Sequence, residues 1–415
     1  MSLKEQPIWL EEKKKLYPSL EEDVSADVVI IGGGITGITS AYLLAKERKK
    51  VVLLEAKELA SNATGYTTAF ITQSIDTDLT DLVDILGVLN TKLVWQSHGQ
   101  AIDLIEKIVK DEKIDCEFTR CSNFVYASDE KQARSIYEEK KIADKLGFDI
   151  KLKKENLGFC HNDCLEIKNQ AKFHPTKYLY ALAKKCEELG VKIFEKSEVL
   201  SIDETFGLAV KTEKHLVQTL KVIVTTYNPF NHPREIVMKG GMYESFIYEL
   251  EVPKGVLKEG IYEDLSNPYY YFRVDPRASH DQVIIGGEDR REELKIDKQK
   301  HFNALKKYIN HIFGHLELKI ISRWTGPILE PSDGLASIGE YRPNQYLAAH
   351  FSGNGMTYSH ISALIFRDII LGRKNDWVGL YNPKRRLEVK RIAKKALDYS
   401  EEFFEGVVAN AFKKK

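Results

Sequence analysis

Residues 27–46 read DVVIIGGGITGITSAYLLAK, and the fold is decided in this stretch. Asp27 to Ile31 is an apolar run without alternation, the pattern of a strand buried on both faces of a parallel sheet. Gly32, Gly33 and Gly34 end it at once. From Ile35 onward, Ile38, Tyr42 and Ala45 recur at helical spacing until the charged run Lys46–Lys50, and Val51–Leu54 is a second buried strand. Strand, glycine turn, helix and strand within about 30 residues make a βαβ unit, whose crossover is right-handed.

Gly32, Gly34 and Gly37 therefore spell G-x-G-x-x-G where the motif has meaning, directly after a strand and opening a helix. The first glycine permits the tight turn, the second lets backbone approach a pyrophosphate, and the third lets helix and strand pack closely. The helix N-terminus adds positive potential. Glu55 closes the second strand about 20 residues on, where its oxygens can accept from ribose hydroxyls and disfavour a 2′-phosphate. FAD and NAD both satisfy this fingerprint, so it leaves the choice between them open.

The chain has 415 residues, 43% of them hydrophobic, with 61 Lys plus Arg against 61 Asp plus Glu. That length supports two or three domains' worth of core, and zero net charge gives no footprint for nucleic acid. The start, MSLKEQPIWLEEKKK, lacks an apolar targeting region, and no segment approaches ~18 uninterrupted apolar residues. The expectation is a cytoplasmic protein without stable membrane insertion. Cys116, Cys121, Cys160, Cys164 and Cys186 form no disulfide framework and read as reduced thiols. Cys160, His161 and Cys164 lack a second pair at zinc spacing, so no metal is expected.

Further along, two amphipathic helical stretches between Asn90 and Leu146 flank a strand-like Asn123–Ala127. Lys177–Leu189 reads as helix, Val191–Phe194 as strand, and Gly207–Thr226 as short strands ending in VIVTT. Tyr243–Gly286 is strand-rich and aromatic, the composition of an antiparallel sheet. Lys298–Phe313 is helical, Phe351–Thr357 a glycine-broken turn, and His360–Leu371 an apolar helix. The basic tail from Lys384 has amphipathic helical spacing.

DVVIIGGGITGITSAYLLAK, VVLLEA, FHPTKYLYALA, YYYFRV with VIIGGED, and RWTGPILEPSDGLASIG with HFSGNGMTYS resemble, in that order, the glycine/D-amino-acid oxidase (DAO) family of FAD-dependent oxidoreductases. A glycine string near residue 32 together with a second near residue 353 is more specific than either alone. NATGYTTAFIT, RWTG and the tail beyond Asn382 most resemble a subgroup in which a Rieske iron-sulfur domain follows. This chain departs from it: no cysteine follows Cys186, so no such cluster is expected within these residues.

The resemblance implies FAD as cofactor, with Thr64, Thr67 and Thr68 of the NATGYTT loop among its contacts. Some relatives attach FAD through a histidine in that loop or a late cysteine; Tyr66 and the absence of a late cysteine imply non-covalent FAD. Gly353, Asn354, Gly355, Met356 and Thr357 precede a helix, so their N–H groups can stabilise negative charge at the flavin's pyrimidine edge. Ile35, Thr36, Ala56, Lys57, Val199, Thr225 and Thr226 complete the expected cofactor contacts. Alternation puts Tyr269, Tyr271 and Arg273 on one strand face, which the resemblance lays over the flavin as the substrate site. For Arg273, an anion ligand and a structural ion pair remain open, and for Tyr269 and Tyr271 a substrate wall and plain core packing remain open. The arginine that clamps carboxylates after W-x-G in the resembling amino-acid oxidases is missing after Trp324-Thr325-Gly326, which favours a bulkier substrate or an amine.

The expected fold is α/β: a discontinuous Rossmann-like FAD-binding domain (1–90, 150–240, 320–383), an inserted sheet-plus-helix substrate domain (91–149, 241–319), and a helical tail (384–415). The expected activity is oxidation of a C–H next to nitrogen in a small-molecule substrate, with oxygen or another carrier as electron acceptor. The alternatives are a 2-hydroxy-acid or glycerophosphate-type dehydrogenase, a non-catalytic FAD-binding assembly protein, and an NAD-dependent dehydrogenase.

Overall fold

The computed structural model describes residues 3–385 except 13, 155–156, 158, 160–162, 228–239, 267 and 292–296. Cys160, His161 and the tail beyond Arg385, with its amphipathic expectation, lie outside the described residues. Two sheets organise the chain. The first orders its strands Ser337–Arg342, Gln345–Ala349, Leu216–Val224, Val24–Ile31, Val51–Leu54 and Lys192–Phe194. From Gln345–Ala349 to Lys192–Phe194 all neighbours are parallel. The hairpin Ser201–Asp203 and Leu208–Lys211 adds antiparallel strands to Leu216–Val224. The four residues of VVLL are all buried, as expected of a strand covered on both faces.

The helix Ile35–Lys46 is buried at nearly every position because it lies between two other helices, Pro175–Glu188 and Gly355–Ile370. Thr36 Oγ1 and Ser359 Oγ are 2.8 Å apart, so the helices that begin at the two glycine strings are tied at their first turns. The helix Pro175–Glu188 starts two residues before its expected bound: Pro175 occupies the first turn and His174 Nδ1 accepts from the Lys177 N–H.

The second sheet orders Lys319–Pro331, Gly240–Pro253, His280–Arg291, Tyr270–Pro276, Gly260–Glu263, Thr119–Tyr126, Cys164–Lys172 and Phe70–Ile71, with Ile150–Lys153 beside Cys164–Lys172. All its pairs are antiparallel except Gly260–Glu263 with Thr119–Tyr126. The helix Lys298–Phe313 packs Phe302, Leu305 and Ile309 on one face against Phe246, Val283 and Ile285. This sheet corrects the expected boundaries. Phe70–Ile71, Ile150–Lys153, Cys164–Lys172 and most of Lys319–Pro331 fall in the expected FAD-binding part, yet their ladders belong to the second sheet. Short strands at crossings carry no composition that says which sheet they join. The boundary at residue 90 also falls inside one helix, Leu79–Asp111, which bends at Gly87 (φ 74°).

Candidate functional site

A cavity of about 1260 Å³ runs between the two sheets. At its first end Gly32 has φ +112°, a backbone shape that side chains rarely adopt, and a Cβ there would lie 2.9 Å from the Thr225 carbonyl oxygen. A Cβ on Gly37 would sit 2.0 Å from the Gly32 carbonyl oxygen, so only glycine allows helix and turn this close. Gly37 therefore acts in packing and does not line the cavity, whereas Gly32, Gly34, Ile35 and Thr36 do. Around Gly34 a Cβ would meet only Thr64 Oγ1, at 3.2 Å, leaving its backbone open to the cavity. The Glu55 carboxylate accepts from the N–H groups of Gly33 (2.7 Å) and Lys57 (2.8 Å), which fixes it at the end of Val51–Leu54.

The second glycine string meets the first across the same cavity, and Gly353 to Met356 line it. Asn354 latches this turn to the chain after Ile71: its amide donates to Thr72 Oγ1 (3.2 Å) and the Ser74 carbonyl (3.1 Å), and its oxygen accepts from the Asp76 N–H (3.1 Å). Asp76 in turn accepts from the Gly353 N–H at 2.7 Å. The helix that follows begins at Gly355, so its first N–H groups have no intrahelical partner and its positive end adjoins the cavity. Thr357 lies behind this wall, buried with its hydroxyl at 2.8 Å from His98 Nδ1.

The NATGYTT loop spans the gap between the two strings. Thr64 Oγ1 accepts from the Ile35 N–H (3.1 Å), the Thr67 carbonyl accepts from Trp9 Nε1 (2.6 Å), and Trp324 Nε1 donates to the Tyr66 carbonyl (3.0 Å). Thr64, Thr67 and Thr68 all line the cavity, as do Ala56, Lys57, Val199, Thr225 and Thr226. The buried Thr226 hydroxyl has no hydrogen-bond partner among the described residues. An orphaned hydroxyl, an open glycine backbone and a helix N-terminus around one long cavity fit a dinucleotide that carries a pyrophosphate.

At the far end Tyr269 and Tyr271 line the wall, their rings 5.4 Å apart, and Phe70 meets Tyr271 edge-on at 5.5 Å. Gly286 makes room for this arrangement, since a Cβ there would come within 2.6 Å of the Tyr271 hydroxyl. Burial raises both phenols above their ordinary pKa, so they stay protonated. Tyr271 OH and Ser245 Oγ share a hydrogen bond of 2.8 Å.

Arg273 does not join them, which corrects its assignment to the substrate site. Only 1% exposed, it pairs through Nε and Nη2 with Asp275 (2.8 and 2.9 Å) and donates through Nη1 to the carbonyls of Thr68, Ala69 and Phe173 at 3.0–3.1 Å. Trp9 covers its guanidinium at 5.5 Å. All its reach is spent on holding the NATGYTT loop to the sheet, and none faces the cavity.

The cavity's acidic wall was not anticipated. Glu263 and Asp289 line it, and burial pushes each carboxyl up to about 7, with Asp76 adding to the rise at both. The Asn123 amide opposes the rise at Glu263, and the Ser245 hydroxyl opposes it at Asp289. Asp289 Oδ1 is sealed from solvent without a hydrogen-bond partner among the described residues. Among those residues, no group of three or more His, Cys, Asp or Glu is placed to hold a metal ion, and no helix is long and apolar enough to cross a membrane.

Residues 27–369 match the model of the FAD dependent oxidoreductase family, DAO. Among curated proteins, the chain is 29% identical to YhfW of Bacillus subtilis (strain 168), named for a Rieske 2Fe-2S iron-sulfur protein, over 89% of this chain and 73% of that one. It is 24% identical to gamma-glutamylputrescine oxidoreductase of Escherichia coli (strain K12), over 86% of each chain. Among solved structures, glycine oxidase from Geobacillus kaustophilus superposes with a TM-score of 0.73 at 17% identity, covering 88% of this chain and 100% of that one. With the family model spanning most of its length, the chain belongs to the DAO family of FAD-dependent oxidoreductases, and FAD is its cofactor.

Proposed function

We propose that this enzyme oxidises a carbon–hydrogen bond next to nitrogen in an amine or amino-acid derivative, using non-covalently held FAD. The observation that carries the reading is the single cavity that begins at the glycine turn and Glu55 and ends between Tyr269, Tyr271 and the acidic wall. One continuous space serves a dinucleotide at one end and a small molecule at the other. The names of two similar proteins, gamma-glutamylputrescine oxidoreductase and glycine oxidase, point to amino compounds as the substrate class.

In this reading Gly32, Gly34, Ile35, Thr36 and Glu55 to Lys57 hold the adenosine and pyrophosphate portion. Thr64, Thr67, Thr68, Val199, Thr225, Thr226 and Gly353 to Met356 hold the remainder. When bound, FAD would supply the two-electron acceptor for the substrate. The protein's own part is positioning and exclusion of water. Phe70, Tyr269 and Tyr271 form an apolar wall that keeps the reacting carbon dry, and the helix beginning at Gly355 favours negative charge beside it. Carboxyls that titrate near neutrality, Glu263 and Asp289, hold a proton or release it as the substrate's nitrogen changes charge. Oxygen or another carrier reoxidises the enzyme.

The test is an anaerobic screen of the yellow holoenzyme against amines, amino acids and 2-hydroxy acids, followed by oxygen and quinone dyes as oxidants. Bleaching by amines supports the reading. Bleaching by hydroxy acids alone overturns it, and flavin that stays on the acid-denatured chain overturns the non-covalent assignment.

A further inference from the structure

Asp289 owes its place to an irregularity in the second sheet. The strand His280–Arg291 pairs Gly287 with Phe246 and Arg290 with Glu244, so Glu288 and Asp289 together oppose the single residue Ser245. Gly287 (φ +152°) and Glu288 (φ +60°) carry the backbone of this bulge. Glu288 turns toward the helix Lys298–Phe313, accepting from Tyr270 OH (2.6 Å) and lying 3.1 Å from His301 Nδ1. Asp289 turns the other way, into the cavity beside Ser245.

Three observations at this carboxyl point to a ligand. Among the described residues its buried Oδ1 has no donor, an arrangement that costs free energy unless a partner is supplied. Its charged neighbours include the carboxylates Asp76 and Glu330, while the neighbouring cation Arg290 lies 3.5 Å from Glu288 and donates to the Asp289 main-chain carbonyl. Glu263 lines the same end, with one oxygen accepting from Asn123 at 3.1 Å. A carboxylate substrate entering here would meet like charge in a space of reduced dielectric, where repulsion is strong.

We infer that Asp289, supported by Glu263, forms a subsite for an ammonium group of the substrate, so that the enzyme selects organic cations over zwitterionic amino acids. This rests on the amine reading above and narrows it. A substrate ammonium donates to the Asp289 carboxylate and neutralises the excess negative charge of the wall. No bond is made or broken in this step; the subsite binds and orients.

The probes are 1,4-diaminobutane and 4-aminobutanoate, which share a four-carbon chain and one amine and differ in the sign of the far group. Binding to the oxidised holoenzyme is read from perturbation of the flavin spectrum, apart from turnover. The expected preference for the diamine is about a hundredfold at pH 8, the order given by one charge pair in a partly screened site. Asp289→Asn reduces the preference to less than about tenfold, and Glu263→Gln reduces it by a smaller factor in the same direction. FAD content equal to wild type and a melting temperature no lower than wild type certify the fold of each variant; if Asp289→Asn loses FAD, Glu263→Gln alone decides. Equal binding of the two probes, or an undiminished preference in the folded variants, overturns the inference. Failure of every amine to bleach the flavin overturns instead the reaction assigned above, because the binding preference is measured without reaction.

Discussion

Replacing Arg273 with methionine separates a structural arginine from a substrate ligand. The side chain is 1% exposed and makes two bonds to Asp275 and three to main-chain carbonyls. Methionine fills a comparable volume but donates nothing, so the three carbonyls and one face of Asp275 are left buried without donors. Breaking a buried pair by deleting one partner costs about 3–5 kcal/mol. Lys172 Nζ still holds Asp275 Oδ1 at 2.7 Å, which places the expected loss toward the lower figure, about 3 kcal/mol. Because the freed carbonyls of Thr68 and Ala69 lie in the loop that lines the cavity, FAD retention falls together with stability. Urea unfolding followed by tryptophan fluorescence, with parallel titration of FAD, reads both. Arg273→Lys recovers only part of the loss, since one ammonium cannot reach all the partners of the planar fork. An unchanged urea midpoint combined with a selective rise in KM for anionic substrates would refute this assignment and restore Arg273 to the substrate site.

Gly37→Ala forces a Cβ to 2.0 Å from the Gly32 carbonyl oxygen, so the variant is expected to be purified colourless or largely insoluble, as judged by flavin absorbance per chain. Asn354→Ala removes bonds to Thr72, Ser74 and the Asp76 N–H; at about 1 kcal/mol each, the second glycine turn loosens and FAD dissociates at least tenfold faster in a stopped-flow release assay. Glu263 and Asp289 titrate at about 7 when folded but near 4 when unfolded, so between those values the folded chain binds more protons and their contribution to stability falls as pH rises. Asp289→Asn should therefore be more stable than wild type at pH 8 and close to it at pH 5, measured as the difference in urea midpoints; the reverse order contradicts the assignment of a raised pKa.

The cofactor end of the molecule was legible in the sequence because each of its features is local. Gly37 is demanded by the Gly32 carbonyl five residues before it and Gly32 by its own positive φ, and the buried strands on either side are continuous apolar runs. The meeting of the two glycine strings was legible only through the resemblance, since nothing in either string encodes the bond between Thr36 and Ser359. Domain boundaries were less so. Cys164–Lys172 and Lys319–Pro331 join the second sheet through partners more than thirty residues away, and their compositions suit either sheet.

Parity explains the rest. Alternation correctly separates Tyr269 and Tyr271, in the cavity wall, from Tyr270, which stacks on Tyr308 toward the helix. It cannot say where along the strand the cavity stops, and two residues past Tyr271 the face is already covered by Trp9 and the NATGYTT loop. On the next strand alternation misleads. Val283 and Ile285 point to the helix side, so unbroken alternation would send Glu288 into the cavity and Asp289 to the helix. The bulge reverses that order, and its only trace in the sequence is the pair Gly286-Gly287. Whether such a pair ends a strand or bends it depends on what lies opposite, here the lone Ser245. A single inserted residue thus exchanges the two acids, giving His301 its partner and leaving the cavity with Asp289, a carboxylate that waits for a cation.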